Sequence, residues 1–369
     1  MQNDKHIQKV TKADILVCEN ADSFLQSAMW GEFKSRFGWT AEAFLIDWAR
    51  EKSPLLALSR RLAPGFSFAY VPWGPVLPID FPADGRVKAL AELAAELKPF
   101  LARNTAFIRF DPPWYALHTE HMEHTGYAQE GEVSLNDEAA SLTCAGFRRA
   151  AATVQPPDTV IINLEPSCEE ILAAMKPKWR YNISLSEKKG VQVNIGGAQE
   201  LEIFYSLLRE TAARDGIAIH GIGYYKTLFE ICAERNQNGR DPTLRLYTAR
   251  HEGDTLAAIV ILFYGKTATY LYGASSNIKR NLMPPYALQW RAMQDAKEAG
   301  CLYYDLFGIP PDDNPNHPMA GLYRFKTGFG GRIIHRSGSW DYPYKPAVYN
   351  LFNIAEAMRK KLRDRKKKR

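Results

Sequence analysis

Lys326 sits inside "GLYRFKTGFGG" (residues 321–331), where four glycines, three aromatic rings and two cations share eleven positions. The spacing Arg324-x-x-x-Gly328-x-Gly330 approaches R-x-x-G-x-G, whose backbone N–H groups hold a pyrophosphate at a helix N-terminus. It is one residue too long, and no strong helix is expected after it. Arg180 stands between Trp179 and Tyr181 in "KWRYN", a setting for a partly covered groove. Its planar donor fork suits a diphosphate. Lys34, four residues after Trp30 in "MWGEFKSRFGW", is a second phosphate candidate, beside the plainer reading of a helix-surface lysine. Asp111 ends the apolar run "AFIRFDPP", and Pro112 holds it extended. There it either faces a cleft or caps the next turn.

Other chemistries find little support. "HTEHMEH" offers His118, His121 and His124, but on a straight helix the outer two point about 240° apart. A solvated segment is the better reading, and no metal is expected. No G-x-x-x-x-G-K-[ST] loop is present, and no G-x-G-x-x-G follows a strand. Five cysteines without a C-x-x-C pair argue against a disulfide framework and a thiolate zinc site, leaving free thiols that are mostly buried. Residues 358–369 hold nine of the 47 Lys/Arg and one of the 41 Asp/Glu, which leaves 38 and 40 for the rest. The body is therefore not a broadly basic nucleic-acid binder; the net charge of +6 belongs to a tail. With no leader-like segment and no apolar run near 20 residues, a cytoplasmic protein is expected.

These residues need elements to hold them. "LRLYTAR", "TLAAIVILFY" and "TATYLYG" read as strands joined by the turns "HEGD" and "GK". "PPYALQWRAMQDAKEAG" is a helix opened by proline and stopped by Gly300, and "CLYYDLFG" is a further strand. Three antiparallel strands, a helix and a strand make the core order of the Gcn5-related acyltransferase fold. A fainter copy precedes it: "LLALSRR", "FSFAYVPWG", a helix over "DGRVKALAELAAELKPFLARN", and "AFIRFDPP". Between the copies, Ser167 and Glu170 form a capping box, followed by the helices "KWRYNISLSEKKG", "AQELEIFYSLLRETAARDG" and "YYKTLFEICAERN". Leu351, Ile354, Ala355, Met358 and Leu362 fall at helical spacing, so a last helix is expected to dock on the body before the basic run.

Taken together, the stretches "LQSAMWGEFKSRFGW", "YVPWGPV", "FIRFDPP", "KWRYNISLSEKKGVQV", "YLYGASSNIKRNLMPPYALQWRAMQDAKEAGCLYYDLFGI" and "GLYRFKTGFGG" resemble the Fem family. These are peptidoglycan-bridge aminoacyltransferases, the FemX/FemABX type, and the resemblance covers nearly the whole chain. It implies an α/β (α+β) protein of two tandem Gcn5-related N-acyltransferase-like subdomains, the compact type without a coiled-coil arm. The expected division is 1–155, completed by 337–369 folding back, and 156–336. The implied reaction moves an amino acid from aminoacyl-tRNA to an amine of the precursor's stem peptide, with no cofactor. The acceptor is UDP-MurNAc-pentapeptide or a lipid-linked precursor, and the protein is expected to be a monomer. Apart from the resemblance, the nine cations of residues 358–369 are expected to make a peripheral contact with an anionic membrane, beside the plainer readings of a solubility tail or attraction to tRNA phosphates.

By the same resemblance, Lys326 meets the developing oxyanion or the terminal nucleotide of the tRNA, and Phe325 packs beside it. Gly328 and Gly330, with Gly331, admit the acceptor end of the RNA. Lys34 and Arg180 bind the diphosphate, while Tyr181 and Tyr272 line the substrate cleft. On chemical grounds, an attacking side-chain amine has to lose a proton first, so a carboxylate such as Asp111 is expected to orient it or take that proton. The alternative keeps the fold and changes the donor, giving a coenzyme-A-dependent N-acyltransferase.

Overall fold

The computed structural model describes residues 5–48, 51–116, 135–236 and 242–367; the "HTEHMEH" segment lies outside them. The chain forms two compact units, Met1–Pro157 with Arg336–Arg369, and Asp158–His335. The first begins with β1 (Lys9–Ala13), α1 (Ala28–Ser35), β2 (Thr40–Asp47), β3 (Lys52–Ala63) and β4 (Phe66–Val71). It continues with α2 (Arg86–Leu97), β5 (Thr105–Phe110), a short β6 (Tyr115–Ala116), α3 (Leu135–Cys144) and β7 (Arg148–Arg149). The second holds β8 (Asp158–Asn163), α4 (Cys168–Ala173), α5 (Pro177–Lys188), β9 (Gln192–Gly196), α6 (Leu201–Asp215) and α7 (Ile222–Arg235). Then come β10 (Thr243–His251), β11 (Asp254–Tyr264), β12 (Thr267–Ser275), α8 (Pro284–Glu298), β13 (Tyr303–Asp305), α9 (Ala320–Thr327) and β14 (Arg332–Arg336). Finally β15 (Trp340–Pro343) and α10 (Pro346–Lys367) return to the first unit.

The two units repeat one order of elements. In the first, β2, β3 and β4 run antiparallel, α2 crosses over, and β5 returns parallel to β4. In the second, β10, β11 and β12 do the same, with α8 as the crossover and β13 parallel to β12. A parallel return needs such a crossover, because a tight turn can only reverse the chain. This is the tandem Gcn5-related architecture, and its first copy starts one strand earlier than "LLALSRR", at β2. The strand orders are β1-β2-β3-β4-β5-β15-β7 in the first unit and β14-β8-β13-β12-β11-β10-β9 in the second.

Local chemistry accounts for the boundaries. Glu252 and Gly253 both take positive φ (49° and 87°), the geometry a two-residue hairpin between β10 and β11 requires. β11 is apolar at nearly every position because both faces are covered, one by α8 and the other by α6. Two prolines open α8, and Gly300 ends it at φ 82°. The Ser167–Glu170 capping box starts α4.

"GLYRFKT", to which the sequence reading assigns no element, lies in α9. The last helix docks differently from the expectation. Tyr349, with Val348 and Phe352 beside it, packs against Ala106 and Phe107, whereas Leu351, Ile354, Met358 and Leu362 stay exposed. Helical spacing marks an apolar face; it does not say which neighbour covers that face.

Candidate functional site

In the second unit, Lys326 lies in the last turn of α9, where the helix dipole favours a cation. Its residue is 6% exposed. The Nζ donates to the carbonyl oxygens of Phe307 (3.2 Å) and Gly308 (2.9 Å) and stands 5.1 Å from the Tyr270 ring centre. Those carbonyls come from a bulge after β13: Leu306 N–H bonds Val160 and Ile309 N–H bonds Asp158, so residues 307 and 308 loop out between them. The Asp305 carboxylate shapes the loop, accepting from the Phe307 N–H (2.7 Å) and the Thr159 hydroxyl, and Phe307 takes φ 56°. Burial pushes the Lys326 ammonium down to about 7, while the charge of Asp305 pulls it upward. Two of its three N–H donors have acceptors among the described residues.

β12 explains why Tyr270 and Tyr272 part company. Val260 pairs with Tyr272 but Ile261 with Tyr270, so Leu271 is an extra residue in a bulge. The bulge sends Tyr270 to the α8 face with Ile261, beside Lys326, and Tyr272 to the opposite face with Val260. Tyr272 packs edge-on against Tyr225 of α7 at 5.1 Å and hydrogen-bonds Tyr224, whose ring stacks on His220. Gly273 has no side chain because the Tyr270 hydroxyl fills the place its Cβ would take.

The glycines of "TGFGG" lie in close contact with neighbouring elements. A Cβ on Gly328 would overlap the Trp179 indole, and Gly328 itself is buried. Gly330 and Gly331 take φ 81° and 82°, and a Cβ there would meet Ala174 O at 3.0 Å and Ile161 O at 2.5 Å. Trp179 Nε1 donates to Phe325 O (2.9 Å) and Lys176 N to Gly328 O (2.9 Å), so α5 and the residue before it satisfy the carbonyl end of α9. The half-buried Phe325 meets Tyr286 and Phe329 edge-on, at 5.2 and 5.1 Å. Arg180, one residue from Trp179, donates through Nη1 to Ala173 O (2.9 Å) and Met175 O (2.5 Å), closing the end of α4. Tyr181 is 63% exposed. Trp179 thus packs with Phe325 at the end of α9, whereas Arg180 turns to the end of α4 and does not meet Lys326.

In the first unit the structure joins Lys34 to Asp111. Lys34 Nζ stands 5.5 Å from the Trp30 ring and 5.6 Å from Trp39, and Arg60 lies 5.4 Å from Trp39 on its own account. Burial, and then the charge of Arg60, lower Lys34 to about 8. Trp39 in turn meets Tyr70 at 6.2 Å, and the Tyr70 hydroxyl donates to one oxygen of Asp111. The Ser339 hydroxyl donates to the other oxygen. Asp111 is 5% exposed, and burial raises its carboxyl to about 6 against these hydrogen bonds. Its geometry is that of a buried tie between β4, β5 and the segment before β15. Asp111→Ala is therefore expected to cost about 1–3 kcal/mol of stability by orphaning two buried hydroxyls. Denaturant titration measures this, and an unchanged midpoint would return Asp111 to the list of groups with a purely chemical task.

Sequence reasoning missed Arg60, Trp39, Tyr70, Ser339, Tyr270 and Asp305. Trp39 follows Lys34 closely in the chain, beyond the reach of the helix that carries the lysine. Each of the others joins its site through a partner distant in the chain, so no local spacing signals it. Burial pushes the Cys18 and Cys232 thiols up to about 12, which makes them inert packing groups; Cys301 is buried, Cys168 half-buried and Cys144 exposed. No cluster of three His, Cys, Asp or Glu suited to a metal occurs among the described residues.

The family model described as the FemAB family matches residues 17–237 and 233–357. The chain is 23% identical to a lipid II:glycine glycyltransferase of Staphylococcus aureus (strain COL), over 89% of this chain and 89% of that protein. Among solved structures it is similar to FemX, with TM-score 0.75 and 20% identity over 93% of this chain and 99% of that one. It is also similar to a tandem GNAT protein from the clavulanic acid biosynthesis pathway, with TM-score 0.51 and 11% identity over 91% and 98%. At such identities the structural likenesses speak for the fold.

Proposed function

Because this chain belongs to the FemAB family, we propose that it is an aminoacyltransferase adding an amino acid to an amine on the stem peptide of a peptidoglycan precursor. The relative named for transfer of glycine to lipid II supports this acceptor class, and aminoacyl-tRNA is the proposed donor. An aminoacyl ester is already activated, so the protein needs no covalent nucleophile. It has to hold amine and ester in attack geometry and stabilise the oxyanion that forms as the C–N bond is made. Lys326 is the observation that carries the reading: a buried ammonium held by two backbone carbonyls. As the tetrahedral intermediate collapses, the C–O bond to the ribose breaks and the ribose oxygen leaves as a hydroxyl with the proton that the attacking amine gives up. Charged tRNA is a cytoplasmic donor, which sets the compartment of the reaction.

The coenzyme A alternative has less behind it. Arg324, Gly328 and Gly330 fall on α9 and its carbonyl end, where no free N–H groups face a pyrophosphate. The segment between β12 and α8, residues 276–283, contains no glycine. Offering the protein a mixture of charged tRNAs with a soluble pentapeptide precursor, and reading the product mass, tests the proposal and names the amino acid. Acyl transfer from acetyl-CoA with none from any charged tRNA would replace it.

Lys34 and Arg60, two cations around Trp39, are the proposed diphosphate contact of the first unit. Lys34→Ala is expected to weaken the nucleotide-linked precursor by about 1.5–3 kcal/mol, the range of a charge-assisted hydrogen bond. Calorimetry with that precursor checks it, and unchanged affinity would remove Lys34 from the site.

A further inference from the structure

The last helix presents an apolar line with no described side chain packed over it. Leu351, Ile354, Met358 and Leu362 are 68%, 53%, 60% and 59% exposed. At 100° per residue they fall within an arc of about 80°, one continuous stripe along three turns. The helix is anchored at its root by a neighbouring face, where Tyr349 meets Phe107 edge-on at 5.1 Å. Arg359 and Lys361, both exposed, flank the stripe at about 80° on either side of the Leu351 direction.

The sequence from Met358 to the end carries nine Lys/Arg against one Asp. Beside the root of the helix, a cavity of about 470 Å³ is lined by three more cations, Lys98, Arg103 and Lys345.

We propose that α10 docks onto an anionic lipid bilayer, its Leu351–Leu362 stripe entering the interface while the flanking cations meet the headgroups. An apolar stripe rimmed and followed by Lys/Arg is the pattern of a helix that lies in the interface plane. No described helix is long and apolar enough to cross a membrane, so this helix lies on the surface. Four side chains in one line offer far less than the roughly 800 Å² per partner of a stable protein interface, which disfavours a second copy. Attraction to RNA phosphates accounts for the cations but leaves the stripe without a purpose. The proposal concerns binding alone and does not depend on which reaction the protein catalyses.

The test uses the full chain sedimented with vesicles of phosphatidylcholine, with and without 30 mol% phosphatidylglycerol. Wild type should pellet with the anionic vesicles, weakly with neutral ones, and less at high salt. Leu351→Ser/Ile354→Ser/Met358→Ser alters only exposed side chains and should reduce anionic-vesicle binding at least tenfold with an unchanged melting temperature. The Ile354→Trp variant, compared with wild type, should gain a component of emission that shifts to the blue on adding anionic vesicles and stays put on adding tRNA. Three results would overturn the proposal: a triple variant that binds like wild type, an added emission in Ile354→Trp that tRNA alone shifts, or a dimer that the triple variant turns into a monomer without lipid.

Discussion

Lys326→Met is expected to lower turnover by about a hundredfold or more, the usual scale for losing one oxyanion contact. Methionine keeps the length and the contact with Tyr270, so α9 should stay in place and precursor affinity should hold. In wild type, kcat/KM should fall as pH rises through about 7, where the free protein's ammonium loses its proton. Lys326→Arg, which stays charged, should move that limb out of the accessible range even where it turns over slowly. Stability carries the opposite sign. The unfolded lysine keeps its proton up to about 10.5 and the folded one gives it up near 7, so the unfolded state binds more protons between those values. Stability should rise with pH across that window, and the slope should flatten in Lys326→Met. Denaturant titrations at pH values spanning the window read the slope, and initial rates read the turnover. Near-normal rates in the methionine variant would sink the assignment.

Gly328→Ala is expected to be strongly damaging for a single added methyl group. The new Cβ would overlap an indole that is pinned by its bond to Phe325 O and by the rings of Tyr286 and Phe329. Overpacking of that kind costs about 1–3 kcal/mol, and the upper end applies where the obstructing ring has nowhere to go. Because Lys326 is two residues away, at the end of the same helix, turnover should fall with stability. Gly321→Ala is the control: it lies on α9 with nothing within 4 Å of its Cβ, and alanine there should be neutral or stabilise by about 0.5–1 kcal/mol. Thermal melts of the two variants separate the readings. If both melt like wild type, Gly328 is not a packing position and an open channel beside Trp179 regains support.

Residue order carried much of this molecule openly. The unbroken apolar run and the length of "TLAAIVILFY", the Glu252-Gly253 turn, the prolines before α8 and the Ser167–Glu170 box act within a few residues of themselves. Local propensity therefore specifies the strands, the crossover helix and their repetition, and with them the acyltransferase core. The pairing of cations with rings at Lys326, Arg180 and Lys34 was equally visible, as was a polar end to the Asp111 strand. Tertiary packing alone decided what those groups touch. Whether Asp111 met a cleft or a tie depended on Tyr70 and Ser339, which lie 41 and 228 positions away. The partners of Lys326 come from β12 and the bulge after β13, and a one-residue bulge in β12 sent Tyr272 to the other face of the sheet from Tyr270. Glycine is permissive in sequence, so "TGFGG" by itself signals only freedom, while Trp179, Ala174 and Ile161 fill the space its missing side chains leave. Periodicity likewise marked the Leu351 stripe as apolar but carried no information about what covers it. A sequence pattern records which side of an element avoids water; only the assembled neighbours determine what takes the water's place.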